Sequence, residues 1–304
     1  MQLPGPVRRL IDERAEALGF ASLQRAAEAM SQAYREGRPP RLSDEERTVA
    51  YLVTRMPATY AAAHMAIREL SESTIATVLD AGAGTGAASL AARQWFPHAA
   101  VTMLERDAAL AGAARMWLPD ARAVAADIAR IEILPPHDLV IAAWSLGEMG
   151  MPVWKRLWEA ARVALVVIEP GTPQGFSLIR EVRDNLLAAG ARMIAPCPAE
   201  TACPMAAPNW CHFAARVERS SIHRRIKRAE LGYEDEKFSY VAVSRQAAAP
   251  ARARVIRHPL HRPGLIVIET CVPEGLRTER IAKRDRDAFR AARHAAWGGR
   301  WGTV

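Results

Sequence analysis

The chain has 304 residues, half of them hydrophobic, and a formal net charge of +8. That much apolar material supports a large buried core and excludes a disordered chain. No apolar run reaches the roughly 18 residues of a membrane span, and Met1 to Arg9 has no signal-peptide apolar core. The expectation is a cytoplasmic, monomeric protein with reduced thiols and no membrane partner. Charge is unevenly placed: His212 onward carries 20 Lys/Arg against 10 Asp/Glu, and the remainder 21 against 23. A basic last third on a near-neutral body points to a polyanion such as RNA or DNA, or else to a solvated charged face.

Residues 1 to about 72 read as helices. Gly37-Arg38-Pro39-Pro40 breaks the chain, and Ser43-Asp44-Glu45-Glu46 is a capping box that opens a helix through Met56. Pro57 starts the next helix, which runs to Leu70. This region carries no evident chemistry and reads as a helical cap beside a ligand site or as a docking surface.

Residues 75–170 alternate apolar runs with helical patterns, the sign of a parallel sheet with crossover helices. The strands are expected at Ile75–Leu79, Ala100–Leu104, Ala123–Ala125, Asp138–Ala143 and Ala164–Ile168. The first leads into Asp80-Ala81-Gly82-Ala83-Gly84-Thr85-Gly86, and an Ala-rich helix follows. Glycines there allow positive φ and close approach of a ligand to the helix N-terminus. In such sheets ligands sit beyond the carboxyl ends of the strands. Glu105, Asp127 and Trp144 stand at those ends. Trp144 either stacks on a base or on adenine, or packs.

The spacing D-x-G-x-G-x-G resembles motif I of the S-adenosylmethionine (SAM)-dependent methyltransferases. That resemblance implies a Rossmann-like α/β fold with SAM held by Asp80, Gly82, Gly84, Gly86, Glu105, Asp127 and Trp144. It implies the amino-acid part of SAM near Asp80, the ribose on Glu105 and the adenine amino group near Asp127. After the fourth strand, Trp144-Ser145-Leu146-Gly147 replaces the Asn/Asp-Pro-Pro-Tyr pattern of amine methyltransferases. No catalytic residue is assigned.

All four cysteines follow the fifth strand: Cys197, Cys203, Cys211 and Cys271. Three of them fall within a short Pro-rich loop, an unusual distribution for core cysteines. Four thiolates suit tetrahedral zinc or an iron–sulfur cluster, and the spacing lacks the paired C-x2-C of zinc ribbons. His212 is either a further ligand or a packing residue. Arg216–Gly232 reads as a basic helix. Phe238–Val243 and Leu265–Thr270 read as the sixth and the antiparallel seventh strand, with the cysteine loop inserted between strands five and six. The expected divisions are an N-terminal helical region at 1–72, a Rossmann-like core at 73–190, a Cys-rich insertion with its basic helix at 191–232, and sheet-completing strands with a basic tail at 233–304.

The glycine loop, the Cys-Pro…Cys-Pro…Trp-Cys-His-Phe run, Tyr233-Glu-Asp-Glu-Lys-Phe-Ser-Tyr240 and Cys271 together resemble one family. It is the methyltransferase-like proteins of the mitochondrial small ribosomal subunit and their bacterial relatives. The resemblance covers roughly residues 40–300. It implies a [4Fe–4S] cluster on Cys197, Cys203, Cys211 and Cys271, with zinc as the alternative. It also implies a role in small-subunit assembly through contact with the subunit's rRNA, either as a methyltransferase or as a non-catalytic factor carrying SAM and the cluster structurally. Arg224, Arg225, Lys227, Arg228, Lys283, Arg284 and Arg286 are the expected RNA-binding residues.

Overall fold

The computed structural model describes residues 1–36 and 40–302. Gly37, Arg38 and Pro39 of the expected chain break lie outside the described residues. Four helices come first: α1 (Gly5–Leu18), α2 (Phe20–Glu36), α3 (Asp44–Thr54) and α4 (Met56–Ile67). The capping box that starts α3 is formed on both sides: the Ser43 hydroxyl accepts from Glu46 N, and the Glu46 carboxylate accepts from Ser43 N. Among the described residues no helix is long and apolar enough to cross a membrane.

The Rossmann-like part then alternates β1 (Thr77–Ala81), α5 (Ala87–Trp95), β2 (Ala100–Glu105), α6 (Ala108–Ala114), β3 (Arg122–Ala125) and β4 (His137–Ala143). It continues through α7 (Leu146–Met149), α8 (Val153–Ala160), β5 (Ala161–Pro170), α9 (Pro173–Ala188) and β6 (Arg192–Ala195). After the cysteine loop come β7 (Phe213–Glu218), α10 (Ser221–Ile226) and the long β8 (Tyr233–Ser244). The large sheet runs β3-β2-β1-β4-β5-β8-β6, with β7 also on β8. The first five of these strands are parallel, and β8 is antiparallel to β5, β6 and β7. Both faces are covered. Val78, Leu139, Val166 and Ile168 pack toward α4 and α5, while Leu79, Val140, Leu165 and Val167 pack toward α8 and α9. Strands buried on both faces explain the near-continuous apolar runs in the sequence.

Three expectations need correction here. The segment after Arg216 is not one basic helix. Its first part is β7, because Phe213, Ala215 and Val217 are buried alternately with exposed Arg216 and Glu218, a period of two. Phe238–Val243, expected as the sixth strand, is part of β8 and runs antiparallel to β5; the cysteine loop does lie in the connection from β5 to it, between the two strands β6 and β7 that were not expected there. Leu265–Thr270 does not join the large sheet. It belongs to a second sheet built from β9 (Ala253–Val255), β10 (Leu260–Arg262), β11 (Leu265–Val272), β12 (Gly275–Ala282) and β13 (Arg300–Trp301), with α11 (Arg286–Ala292) packed on it.

Candidate functional site

The glycine loop and the strand ends around it enclose a pocket of about 270 Å³. Asp80 is the next-to-last residue of β1 and is 1 % exposed. Its Oδ2 accepts from Ser89 N (2.9 Å) and Ser89 Oγ (2.6 Å), while Oδ1 is buried without a partner. Burial pushes this carboxyl up to about 6, with the Glu105 charge adding to the shift. Gly82 and Gly84 have φ of +78° and +54°. A Cβ on Gly82 would lie 2.6 Å from Ser145 Cβ, so the close approach of the post-β4 segment requires glycine. A Cβ on Gly84 would meet nothing within 4 Å and would point into free space. Gly86, at φ +73°, starts α5.

The structure brings the other sequence-picked residues to the same pocket. Glu105 Oε2 accepts from Gly84 N (2.7 Å) and Oε1 from Asp107 N (2.8 Å), so each oxygen keeps a lone pair for a ligand hydroxyl. Asp127 caps a turn by accepting from Ala129 N at 3.0 Å and lines the pocket beside Ile128. Trp144 lines the pocket with a positive φ of 55°, a strained conformation for a bulky residue. Sequence reading missed Tyr51 and Thr59, which line the pocket from α3 and α4 with the Tyr51 phenol bonded to Thr59. The only sequence signal was a phenol among the buried residues of α3. Arg47, one turn earlier, pairs with Asp107, which caps α6.

The four cysteines line a second cavity, of about 220 Å³. All four are free thiols. Burial pushes Cys271 up to about 12 and Cys211 well above its ordinary value, and the neighbouring cysteines add to both shifts. Among the described residues no group of three or more His, Cys, Asp or Glu side chains converges on a single-ion site. His212 is buried by packing: its ring stacks on Trp210 (5.1 Å) and meets the edge of Trp297 (4.9 Å).

The basic residues fall in two places. On and after α10, Arg224 is exposed, Arg225 lies over the Phe20 ring (4.3 Å), Lys227 pairs with Glu234 (2.9 Å), and Arg228 reaches Glu28 (3.5 Å). Lys283, Arg284 and Arg286 are exposed at the turn from β12 into α11.

The sheet order, with its antiparallel β8 and a glycine-loop pocket at the carboxyl ends of β1, β2 and β4, defines a Rossmann-like methyltransferase fold. Residues 45–302 match the family model described as mitochondrial small ribosomal subunit Rsm22, and the chain belongs to that family. It is 27 % identical over 288 residues to the human mitochondrial ribosome assembly protein METTL17, covering 84 % of this chain and 62 % of that protein. It is 25 % identical to Rsm22-cox11 tandem protein 2, mitochondrial, of Schizosaccharomyces pombe, covering 85 % of this chain and 43 % of that one. The chain thus spans only part of the length of these relatives. Among solved structures it is similar to the plantazolicin methyltransferase BpumL in complex with SAH, with TM-score 0.42, 12 % identity, and 80 % and 100 % of the two chains covered. It is also similar to a precorrin-6y C5,15-methyltransferase from Geobacter metallireducens, with TM-score 0.39, 15 % identity, and 60 % and 86 % covered. The mitochondrial description of the family and the mitochondrial titles of the relatives overturn the expectation of a cytoplasmic protein. That expectation rested on the lack of a signal-peptide core in Met1 to Arg9, which does not report on an organelle.

Proposed function

We propose that this chain binds SAM in the glycine-loop pocket and acts on the small ribosomal subunit during its assembly, as a methyltransferase directed at the subunit's rRNA. The observation that carries the reading is the unpartnered, buried Asp80 Oδ1 in a pocket lined by Gly84 and Glu105. It is an acceptor waiting for a cationic or N–H-bearing ligand group. Asp80 would receive the amino-acid end, Glu105 the ribose hydroxyls and Asp127 the adenine amine, with Trp144 as the stacking wall. SAM supplies an activated methyl on a sulfonium, and transfer from it needs chiefly in-line positioning. The two basic groups, Arg224, Arg225, Lys227 and Arg228 with Lys283, Arg284 and Arg286, would meet rRNA phosphates.

The four-cysteine cavity would hold a [4Fe–4S] cluster on Cys197, Cys203, Cys211 and Cys271. Four thiols lining one cavity would supply the four thiolate ligands, and their spacing lacks the paired C-x2-C of zinc ribbons. A second reading, a non-catalytic assembly factor that carries SAM and the cluster structurally, draws support from the post-β4 segment. There the Ser145 hydroxyl donates to Ala81 O (2.7 Å), and Glu169 accepts from Leu146 N and Gly147 N, so both polar groups are engaged in holding the loop.

Methyl transfer from radiolabelled SAM to immature small subunits, with anaerobically prepared protein, tests the two readings. We expect label in RNA that disappears with Gly84→Asp, whose side chain would enter the pocket. Binding of SAM and subunits without incorporation selects the non-catalytic reading. Unchanged calorimetric SAM binding by Gly84→Asp removes the pocket assignment.

A further inference from the structure

The helix α9 carries an apolar stripe of Phe176, Ile179, Val182 and Leu186. Arg183 sits in that stripe and is 4 % exposed. Its Nη2 donates to Ala199 O (3.1 Å) and Thr201 O (2.6 Å), both in the segment between Cys197 and Cys203. Its guanidinium is also within hydrogen-bonding reach of the Cys197 sulfur. Its Nε is buried with no acceptor. Its carboxylate partner, Asp184, is 55 % exposed, so that countercharge is largely solvated. The other buried guanidinium on the cavity, Arg254, is matched by the buried Glu69 (2.8 Å).

A buried cation with an unused donor is costly unless an anion faces it. Here Arg183 lines a cavity shared by the four cysteine sulfurs, whose other charged side chains are Arg180, Arg254 and Glu274. We infer that Arg183 is the positioning and charge-compensating residue of the four-cysteine cavity, bracing the Cys197–Cys203 segment while holding a positive charge against the anionic group bound there. This inference rests on the cluster reading above. A fixed cation and N–H donors beside thiolate ligands stabilise the reduced, more negative state of a cluster and raise its midpoint potential. Lysine would keep the charge and lose the planar array of donors that spans two carbonyls and a sulfur.

The test uses the full chain, loaded anaerobically with ferrous iron and sulfide. Iron and sulfide per chain are measured, and the midpoint potential is titrated with dithionite and followed by electron paramagnetic resonance. Arg183→Met is expected to lower iron content and to shift the midpoint of the loaded fraction to more negative values. Arg183→Lys is expected to lower iron content while leaving the midpoint near that of the parent chain. Asp184→Asn, at an exposed position that should not disturb folding, is expected to shift the midpoint positive, because it removes the carboxylate that partly offsets Arg183. If Arg183→Met fails to load, the Asp184→Asn shift carries the charge assignment. Midpoints unchanged in Asp184→Asn and, where it loads, in Arg183→Met would overturn the inference and leave only a loop brace. A parent chain that takes up no iron and sulfide would instead remove the cluster reading itself.

Discussion

Glu169 illustrates what a single buried carboxyl does at the end of a parallel strand. It closes β5, is 4 % exposed, and accepts from the backbone N–H groups of Leu146 (3.0 Å) and Gly147 (3.2 Å). Burial pushes it up to about 7, with the Glu148 charge adding to the shift, and the two N–H bonds only partly oppose this. Its folded value thus lies above its unfolded one, so the proton it holds favours the folded state. That contribution is fully present below about 4.5 and is lost as the pH rises through about 7. Glu169→Gln keeps an acceptor for both N–H groups and removes the charge. We expect it to match the parent near pH 5 and to gain up to about 3 kcal/mol near pH 8. Urea unfolding across that range checks this, and parallel stability curves for the two proteins would contradict it. The sequence made Asp80, the glycines and Glu105 legible because their spacing is local. Glu169 and Arg183 were not legible, since their meaning depends on what faces them across the fold.

At the scale of elements, α3 is held over the glycine-loop pocket by polar ties at both ends of its first half. The capping box fixes its start, and Arg47 bridges to Asp107, the residue that caps α6. Arg47 also pairs with Asp44 at 2.9 Å. Tyr51 follows one turn later and lines the pocket. Arg47→Met should therefore weaken SAM binding several-fold while costing the fold only about 1 kcal/mol, because the ion pairs are partly solvated. Calorimetry with SAM and a thermal melt separate the two effects. An unchanged affinity would show that α3 does not shape the pocket. The helices and the parallel strands were readable from periodicity, and the capping box from four adjacent residues. Arg216–Gly232 reads as a basic helix from its charge, but the alternation of Phe213, Ala215 and Val217, which begins before it, makes its first residues part of a strand.

At the scale of the molecule, a buried guanidinium stands where the second sheet meets the rest. Arg254 on β9 donates through Nε to Pro196 O (3.0 Å) at the entry to the cysteine loop, and through Nη1 to Gly298 O (3.0 Å) and Glu69 Oε1 (2.8 Å). Arg300 on β13 adds a contact to Glu69 Oε2 at 3.0 Å. Thus the end of the N-terminal helices, the cysteine loop and the small sheet meet at a site that is almost wholly buried. No local pattern announces this, because the pairing spans 185 positions and β9 and β13 are only 3 and 2 residues long. The alternation of Leu265–Thr270 fits either sheet, and its pairing with the adjacent β12 along its whole length, with β9 and β10 beside it, puts it in the second one. Burial raises Glu69, but Arg254 and Arg300 outweigh it and hold the carboxyl below its ordinary value. Its contribution is therefore present above the unfolded pKa and lost as the pH falls through the lower folded one. Glu69→Gln leaves the Arg254 charge buried without its countercharge, which should cost about 3–5 kcal/mol near neutral pH. It should also flatten the acid limb of the stability curve, since the titrating group is gone. Chemical denaturation at neutral and acidic pH reads both effects. A variant within about 1 kcal/mol of the parent, the range of a solvated ion pair, would mean that the sheets are held by their apolar contacts and that the Arg254 network is incidental to their union.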